Sequence, residues 1–372
     1  MRNSFGQAVT VTLFGESHGA AVGAVLDGMA PGLAVDETFI AGRMALRRAA
    51  GQISTARQEE DRVRLLSGVY RGHTTGTPIT FLIENQNTRS SDYEATAALA
   101  RPGHADFTAR EKYHGYADPR GGGHFSGRLT AGLVAAGALC LSALSGRGIA
   151  VGTHVARCAG IDDRPFAEDP RDEIAALSDR AFAVLDRAAG ERMQQAILAA
   201  KAEGDSVGGV LETAVTGLPA GVGEPWFDTL EGVLAHALFS VPAVKGVEFG
   251  DGFALADLRG SVANDPFRMR AGQVVCESNR AGGILGGIST GMPLRIRTAV
   301  KPTPSIYKEQ RTVDLDRRSD ATLTVKGRHD PAVVHRARAV VDAVTALCLC
   351  DLLAQRFGTD WLAGKEAVCS TD

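Results

Sequence analysis

The chain has 372 residues, 44% hydrophobic and 22% charged, enough apolar material for a sizeable buried core. A formal net charge of −3 supplies no global basic field, which argues against a nucleic-acid partner. Six cysteines with neither a C-x-x-C pair nor a metal-ligand spacing to histidine imply no metal and fit a reducing cytoplasm.

Met1–Gln7 holds no apolar signal core, so export is not expected. Residues 7–13 alternate as a strand, a polar turn follows at Gly15–Gly19, and a second strand covers Val22–Asp27. Asp36 is placed to cap a helix running to about Arg48. Strand patterns recur near 63–70, 78–84, 207–216 and 293–300, and helical ones near 128–145, 171–203, 227–239 and 331–355. The charged stretch 162–204 reads as an exposed helical excursion. Elements alternate without a steady βαβ beat, so the class is α+β, in one domain over 1–372. Leu129–Gly146 carries no charge and approaches the length of a membrane span. Its Ala, Gly, Ser and Thr content points instead to a helix buried between protein layers, with no membrane partner.

Four islands carry residue types suited to chemistry. In Gly15–Gly19, His18 sits between strands, where an imidazole suits proton transfer near neutrality; an ordinary surface histidine in a loop is the default explanation. In Arg101–Asp106, a Pro-Gly turn sets His104 between Arg101 and Asp106, a carboxylate that would raise the histidine's pKa. The third island, Gly121–Gly132, puts three glycines, Ser126 and Arg128 before the long apolar helix, an arrangement suited to an anion. It is not a dinucleotide fingerprint, because G-x-G-x-x-G from Gly121 would need glycine where Ser126 stands. The fourth, Lys326–Pro331, is explained structurally by Asp330 as a helix cap with Pro331 at the first helical position. Its functional reading has Arg328 holding an anion and Asp330 accepting a proton.

Two further runs support these islands. Arg43 and Arg47 lie one turn apart beside Arg48, with Arg57 in the loop beyond; a salt-bridged helix surface is the default explanation. A glycine series at 282–291 precedes Lys301-Pro302-Thr303-Pro304-Ser305, whose polar groups can donate to a ring or a phosphate. Of the 40 basic residues, 33 are arginine, a bias that a GC-rich genome also produces.

In this order the islands resemble the chorismate synthase family, of the bacterial type, at the last step of the shikimate pathway. Also matching are Asp27–Pro31, Glu203–Gly208, Val244–Glu248 and Ala281–Gly287, so the resemblance runs from about residue 5 to 355. It implies a helical layer between two antiparallel sheets, usually in a homotetramer. It implies anti-1,4-elimination of phosphate from 5-enolpyruvylshikimate 3-phosphate with reduced FMN, and NADPH only if the chain reduces its own flavin. Carried over by position, the resemblance implies that His18 is the acid beside the flavin, His104 meets the departing phosphate, and Asp330 accepts a proton through the flavin N5 region. Arg47, Arg48, Arg57, Ser126, Arg128 and Arg328 are implied to hold the substrate. Arg48, Phe125, Ser126, Gly127, Pro242 and Ala243 are implied to hold FMN. So are Gly286, Lys301, Pro302, Thr303, Pro304, Ser305 and Arg328. The arginine turn usually reads Arg-Arg-Arg-Pro-Gly and is Arg47-Arg48-Ala49-Ala50-Gly51 here, which makes Arg57 a substitute for the loop's second arginine. A binding paralogue without turnover is disfavoured by intact His18, His104 and Asp330.

Overall fold

A computed structural model describes residues 2–49, 51–54, 60–86, 98–325 and 329–364. The first sheet holds β1 (Ser4–Phe5), β2 (Thr10–Gly15), β3 (Ala21–Asp27) and β4 (Val63–Ser67). After a small ribbon, β5 (Val69–Tyr70) with β6 (His73–Thr74), comes β7 (Ile79–Glu84). The strand order is β1-β2-β3-β7-β4, antiparallel throughout.

The second sheet draws on β8 (Ala150–Cys158), β9 (Ile161–Asp162), β10 (Gly209–Thr216) and β11 (Val244–Phe249). Two hairpins intervene, β12 (Phe267–Arg270) with β13 (Gln273–Cys276), and β14 (Ile284–Leu285) with β15 (Ile288–Ser289). With β16 (Leu294–Val300) the sheet completes the antiparallel order β11-β16-β10-β8-β9. A last hairpin pairs β17 (Gln310–Asp314) with β18 (Ser319–Leu323).

Between the sheets lie helices. Asp36 caps α1 (Glu37–Arg47), its carboxylate accepting from the Thr38 and Phe39 amides at 2.9 and 3.0 Å. The short α2 (Asp106–Lys112) precedes α3 (Thr130–Gly146), which is buried on all sides between the first sheet and the final helix. Small residues allow this. A Cβ on Gly132 would lie 2.7 Å from the Gly23 carbonyl in β3. One on Gly137 would lie 2.3 Å from Ala343 Cβ in that final helix. The span-like segment is thus a rod inside the protein core.

The excursion at 162–204 is two helices, α4 (Arg171–Leu177) and α5 (Arg187–Ala202), rather than one from 171 to 203. Nor is it only a solvated surface, because Ile174, Leu177, Met193 and Ile197 are buried. Then come α6 (Leu230–Ser240), the single turn α7 (Gly260–Ala263) and α8 (Val334–Phe357). The fully buried Arg338 of α8 donates to the carbonyls of Leu177 (3.2 Å) and Arg180 (2.5 Å), satisfying the end of α4. The class is α+β, as the sequence pattern implied. Helix α8 starts three residues later than Pro331, with Val333 at its cap position, so Asp330 is not its N-cap.

Candidate active site

The glycine shelf takes its shape from left-handed backbone at Gly121, Gly122 and Gly123, with φ of 59°, 84° and 51°. A Cβ on Gly121 would lie 2.2 Å from His18 Cε1, so only glycine lets the shelf close over that imidazole. Ser17 ties the two segments together: its amide donates to the Gly123 carbonyl (3.1 Å) and its hydroxyl to those of Arg120 and Gly121. His18 is therefore buried behind the shelf, and does not line the cavity in front of it. Ser126 Oγ accepts from the Arg128 amide (3.3 Å), opening the turn that leads into α3.

That cavity has a volume of about 1430 Å³. Its walls come from the N-terminal strands, the end of α1, the 101–106 turn, the shelf, the end of α6, the 301–305 loop and the start of α8. Arg47 and Arg48 reach it from α1, with Phe125, Ser126, Gly127 and Arg128 on the shelf. Opposite stand Pro242, Ala243, Lys301, Thr303, Pro304 and Ser305, and His104 and Asp330 complete the set.

Asp61 joins two of the arginines. Arg47 Nη2 donates to its Oδ2 at 2.6 Å, and Arg128 Nη1 pairs with its Oδ1. Arg128 also donates to Asn85 Oδ1 (2.9 Å) and the Glu84 carbonyl (3.1 Å). Burial alone would raise the Asp61 pKa, but the two guanidiniums hold it below the ordinary carboxylate value. Arg128 is thus a buried strut with three donor atoms committed to the protein, rather than an open fork. Arg43, expected on a salt-bridged surface, points inward to Asp342 of α8. Arg48 stays exposed, with one long contact to the Glu60 carbonyl at 3.4 Å.

The turn at 101–106 also departs from expectation. Arg101 takes Asp106 with a two-point fork at 2.8 and 2.7 Å, leaving that carboxylate engaged. Burial, and then the Arg101 charge, push the His104 pKa down to about 4, the reverse of the rise expected from Asp106. His104 is neutral at pH 7, with Nε2 sharing a 2.7 Å hydrogen bond with Ser305 Oγ. Lys301 Nζ donates to the Gly103 carbonyl at 2.7 Å, fixing the turn against the 301–305 loop.

Asp330, not needed as a cap, pairs with Arg336 of α8. Ala243 holds a left-handed φ of 74°, while its carbonyl accepts from the Lys301 amide (2.9 Å). Strain of this kind in a non-glycine residue gathers where a backbone must face a ligand. Pro302 packs against Gly208 outside the cavity, and Gly286 sits in the open β14–β15 turn; neither lines the cavity. Arg57 and Arg328 lie outside the described residues. Asp61 and Arg336 carried no motif in the sequence; only the fold brings them to the wall. Among the described residues no group of His, Cys, Asp and Glu is arranged to hold a metal.

The chorismate synthase family profile matches residues 9–354. The chain belongs to the chorismate synthase family. It is similar to chorismate synthase of Dehalococcoides mccartyi, 49% identical over 95% of this chain and 96% of that protein. Chorismate synthase of Thermococcus kodakarensis is 46% identical, over 94% and 97% of the two chains. A crystal structure of chorismate synthase superposes with a TM-score of 0.76 at 28% identity, covering 96% of this chain and 97% of the other. Archaeal proteins stand among these relatives, so the match carries the family and not the bacterial subtype expected from the motifs. Chorismate synthases are carbon–oxygen lyases that form chorismate with loss of phosphate, closing the shikimate pathway, and this chain's function is theirs.

Proposed function

We propose that the cavity binds 5-enolpyruvylshikimate 3-phosphate beside reduced FMN and eliminates phosphate and a ring proton in the anti-1,4 sense. One observation carries the assignment of both ligands to this cavity: Arg48, Ser126, His104, Lys301 and Asp330, groups suited to anions and to proton transfer, line one continuous space beside the strained Ala243 backbone. The volume of about 1430 Å³ leaves room for a flavin and a ring-sized substrate together.

The residues present fit the flavin. Phe125–Gly127, the strained Pro242–Ala243 backbone and the 301–305 loop would hold it, while Lys301 and Arg48 supply positive charge. When bound, the reduced flavin supplies electron density beside the breaking C–O bond and is not consumed overall. The chain's own groups handle the ions. Arg48, Ser126 and the guanidiniums of Arg47 and Arg336 hold the substrate's anionic groups, with Arg57 and Arg328 assigned the same part from sequence.

His104, held through Nε2 by Ser305, meets the departing phosphate. The approach of a phosphate dianion favours the charged imidazole, raising a pKa that burial had lowered. Asp330, oriented by Arg336, accepts the ring proton as the C–H bond breaks and the new C=C bond forms. His18 lies behind Gly121, so its part as an acid beside the flavin requires the shelf to shift; His104 and Asp330 need no such movement. FMN keeps Gly286 and Pro302 as contacts only if a second copy of the chain or a loop movement brings them in. A homotetramer is supported by Trp226, Phe227 and Phe253, at least 85% exposed. Cytoplasmic residence is supported by the cysteines among the described residues, all five of them free and buried.

The test is an anaerobic assay with photoreduced FMN and enolpyruvylshikimate phosphate, following chorismate absorbance. No product from folded protein refutes the assignment. In the same assay His104→Ala is expected to lower turnover roughly a hundredfold while flavin affinity changes little; equal losses would contradict the phosphate role. We assign flavin reduction to a separate source, and product formation in air from NADPH and oxidised FMN would overturn that.

A further inference from the structure

The turn Glu203–Gly208, between α5 and β10, has no part in the reaction as assigned and does not line the cavity, yet it lies directly behind two of its walls. Its shape is that of a helix C-terminus. Gly204 takes a left-handed φ of 69° and donates to the Lys201 carbonyl (3.1 Å), while the Asp205 amide donates to that of Ala200 (2.9 Å). From there the turn reaches in two directions. Toward the 301–305 loop, Ser206 Oγ donates to the Thr303 carbonyl at 2.6 Å, and the Gly204 carbonyl accepts from the Tyr307 amide at 2.9 Å. Asp205 spans the same gap, accepting from the Ser206 amide (2.8 Å) and from Lys308 Nζ (2.7 Å). Toward the start of α8, the Val207 amide donates at 2.8 Å to the carbonyl of Pro331, the residue after Asp330. A Cβ on Gly208 would lie 2.6 Å from the Val300 carbonyl, so the turn is pressed against the root of the loop. The two directions lead to the two groups assigned to the ions: Ser305 in the loop holds His104 Nε2, and Asp330 stands before α8.

We propose that Ser206 is a positioning residue: through the Thr303 carbonyl it sets the 301–305 loop, and with it His104, in register with Asp330 across the substrate. The roles of His104 and Asp330 in this proposal rest on the phospholyase reading above. Displacement by about 1 Å is enough to cost a reaction about a hundredfold, so a link behind the wall has leverage on the chemistry in front of it. The Lys308–Asp205 pair across the same gap is half-exposed and adds little on its own. The Ser206 hydroxyl is therefore the side-chain link on which the loop depends.

The experiment compares Ser206→Ala, which removes the hydroxyl, with Ser206→Thr, which keeps it, both in the full chain. In Ser206→Ala kcat is expected to fall about tenfold. The FMN Kd, set also by the shelf and the Pro242–Ala243 backbone, should rise by less than about threefold. Ser206→Thr should keep kcat within about threefold of the parent. With Ser305→Ala already in place His104 has lost its tether, so adding Ser206→Ala should lower kcat no further. A second readout, NMR titration of the His104 imidazole, needs no turnover. Arg101, Asp106, Lys301 and His329 are the charged and titratable groups around it, and in the parent it stays neutral down to about pH 4. Loosening the loop lessens its burial, so in Ser206→Ala the midpoint should rise by about 1 pH unit and in Ser206→Thr return. Additive losses with Ser305→Ala, equal losses of kcat and FMN affinity, or an unmoved His104 midpoint overturn the proposal. So does a Ser206→Thr chain as impaired as Ser206→Ala. A chain that makes no chorismate but shows the His104 shift and its reversal refutes the assigned reaction alone.

Discussion

Arg336 and Asp330 illustrate how one side chain sets the task of another. With the helix cap position taken by Val333, the Asp330 carboxylate is left to the guanidinium six residues on, in the first turn of α8. A base so held is aimed by a rigid helix. Arg336→Gln is therefore expected to lower kcat roughly tenfold to a hundredfold while flavin affinity, read by fluorescence quenching, stays near the parent's. A proportional loss of both would assign Arg336 to flavin binding instead. His104, Arg128 and Asp330 were legible as candidates because their types and spacings are distinctive. Their partners were not: Asp106 looked free to act on His104, and Arg101 had already taken it. Local spacing reports which groups are near one another, whereas pKa depends on burial and on which charge is already neutralised.

Helix α3 shows a similar division one level up. Its uncharged run and small residues announced a buried rod, and Asp36 announced the start of α1 with equal clarity. What the rod packs against was not visible, because Gly132 and Gly137 reveal their purpose only beside β3 and Ala343. Gly137→Ala would drive a Cβ to 2.3 Å from Ala343 Cβ and 2.5 Å from its Cα, so two helix backbones must part. The expected cost is about 1–3 kcal/mol in urea unfolding, with loss of activity as the shelf at the head of α3 moves. Strand β8 (Ala150–Cys158) carries no alternating signature, for a different reason. Both of its faces are covered: Thr153 meets Asp342 of α8 on one, and on the other His154 is clasped by Asp163 (2.9 Å) and Glu212 (2.8 Å). Burial would lower that imidazole's pKa, but the two carboxylates outweigh it and raise it. A polar pair so satisfied breaks the apolar alternation by which strands are recognised.

The molecule as a whole combines two sheets and a helical layer in which one buried histidine, His335, makes it sensitive to acid. Burial, then Arg336, push His335 down to about 3, while its Nε2 shares a 2.9 Å bond with Ser54. The unfolded chain protonates near 6.5 and the folded one does not until about 3, so stability falls as pH drops through that window. At pH 4.5 this histidine alone should cost about 2–3 kcal/mol relative to pH 7. His335→Gln is expected to flatten the loss measured by urea unfolding at the two pH values; an unchanged slope would place the sensitivity elsewhere. The α+β class was legible from irregular alternation, but the sandwich depends on pairings such as β3 with β7 that no local pattern encodes. The last long helix is also the one on which everything rests. It packs on α3 and on the second sheet, and its Asp351 receives the amides of Gln7, Ala8 and Val9 at the opposite end of the chain. During synthesis the inner face of the second sheet and the outer side of α3 leave the ribosome before their cover exists. Chains released early are thus aggregation-prone rather than partly active, and chaperone protection over the first three hundred or so residues is the expected companion of this architecture.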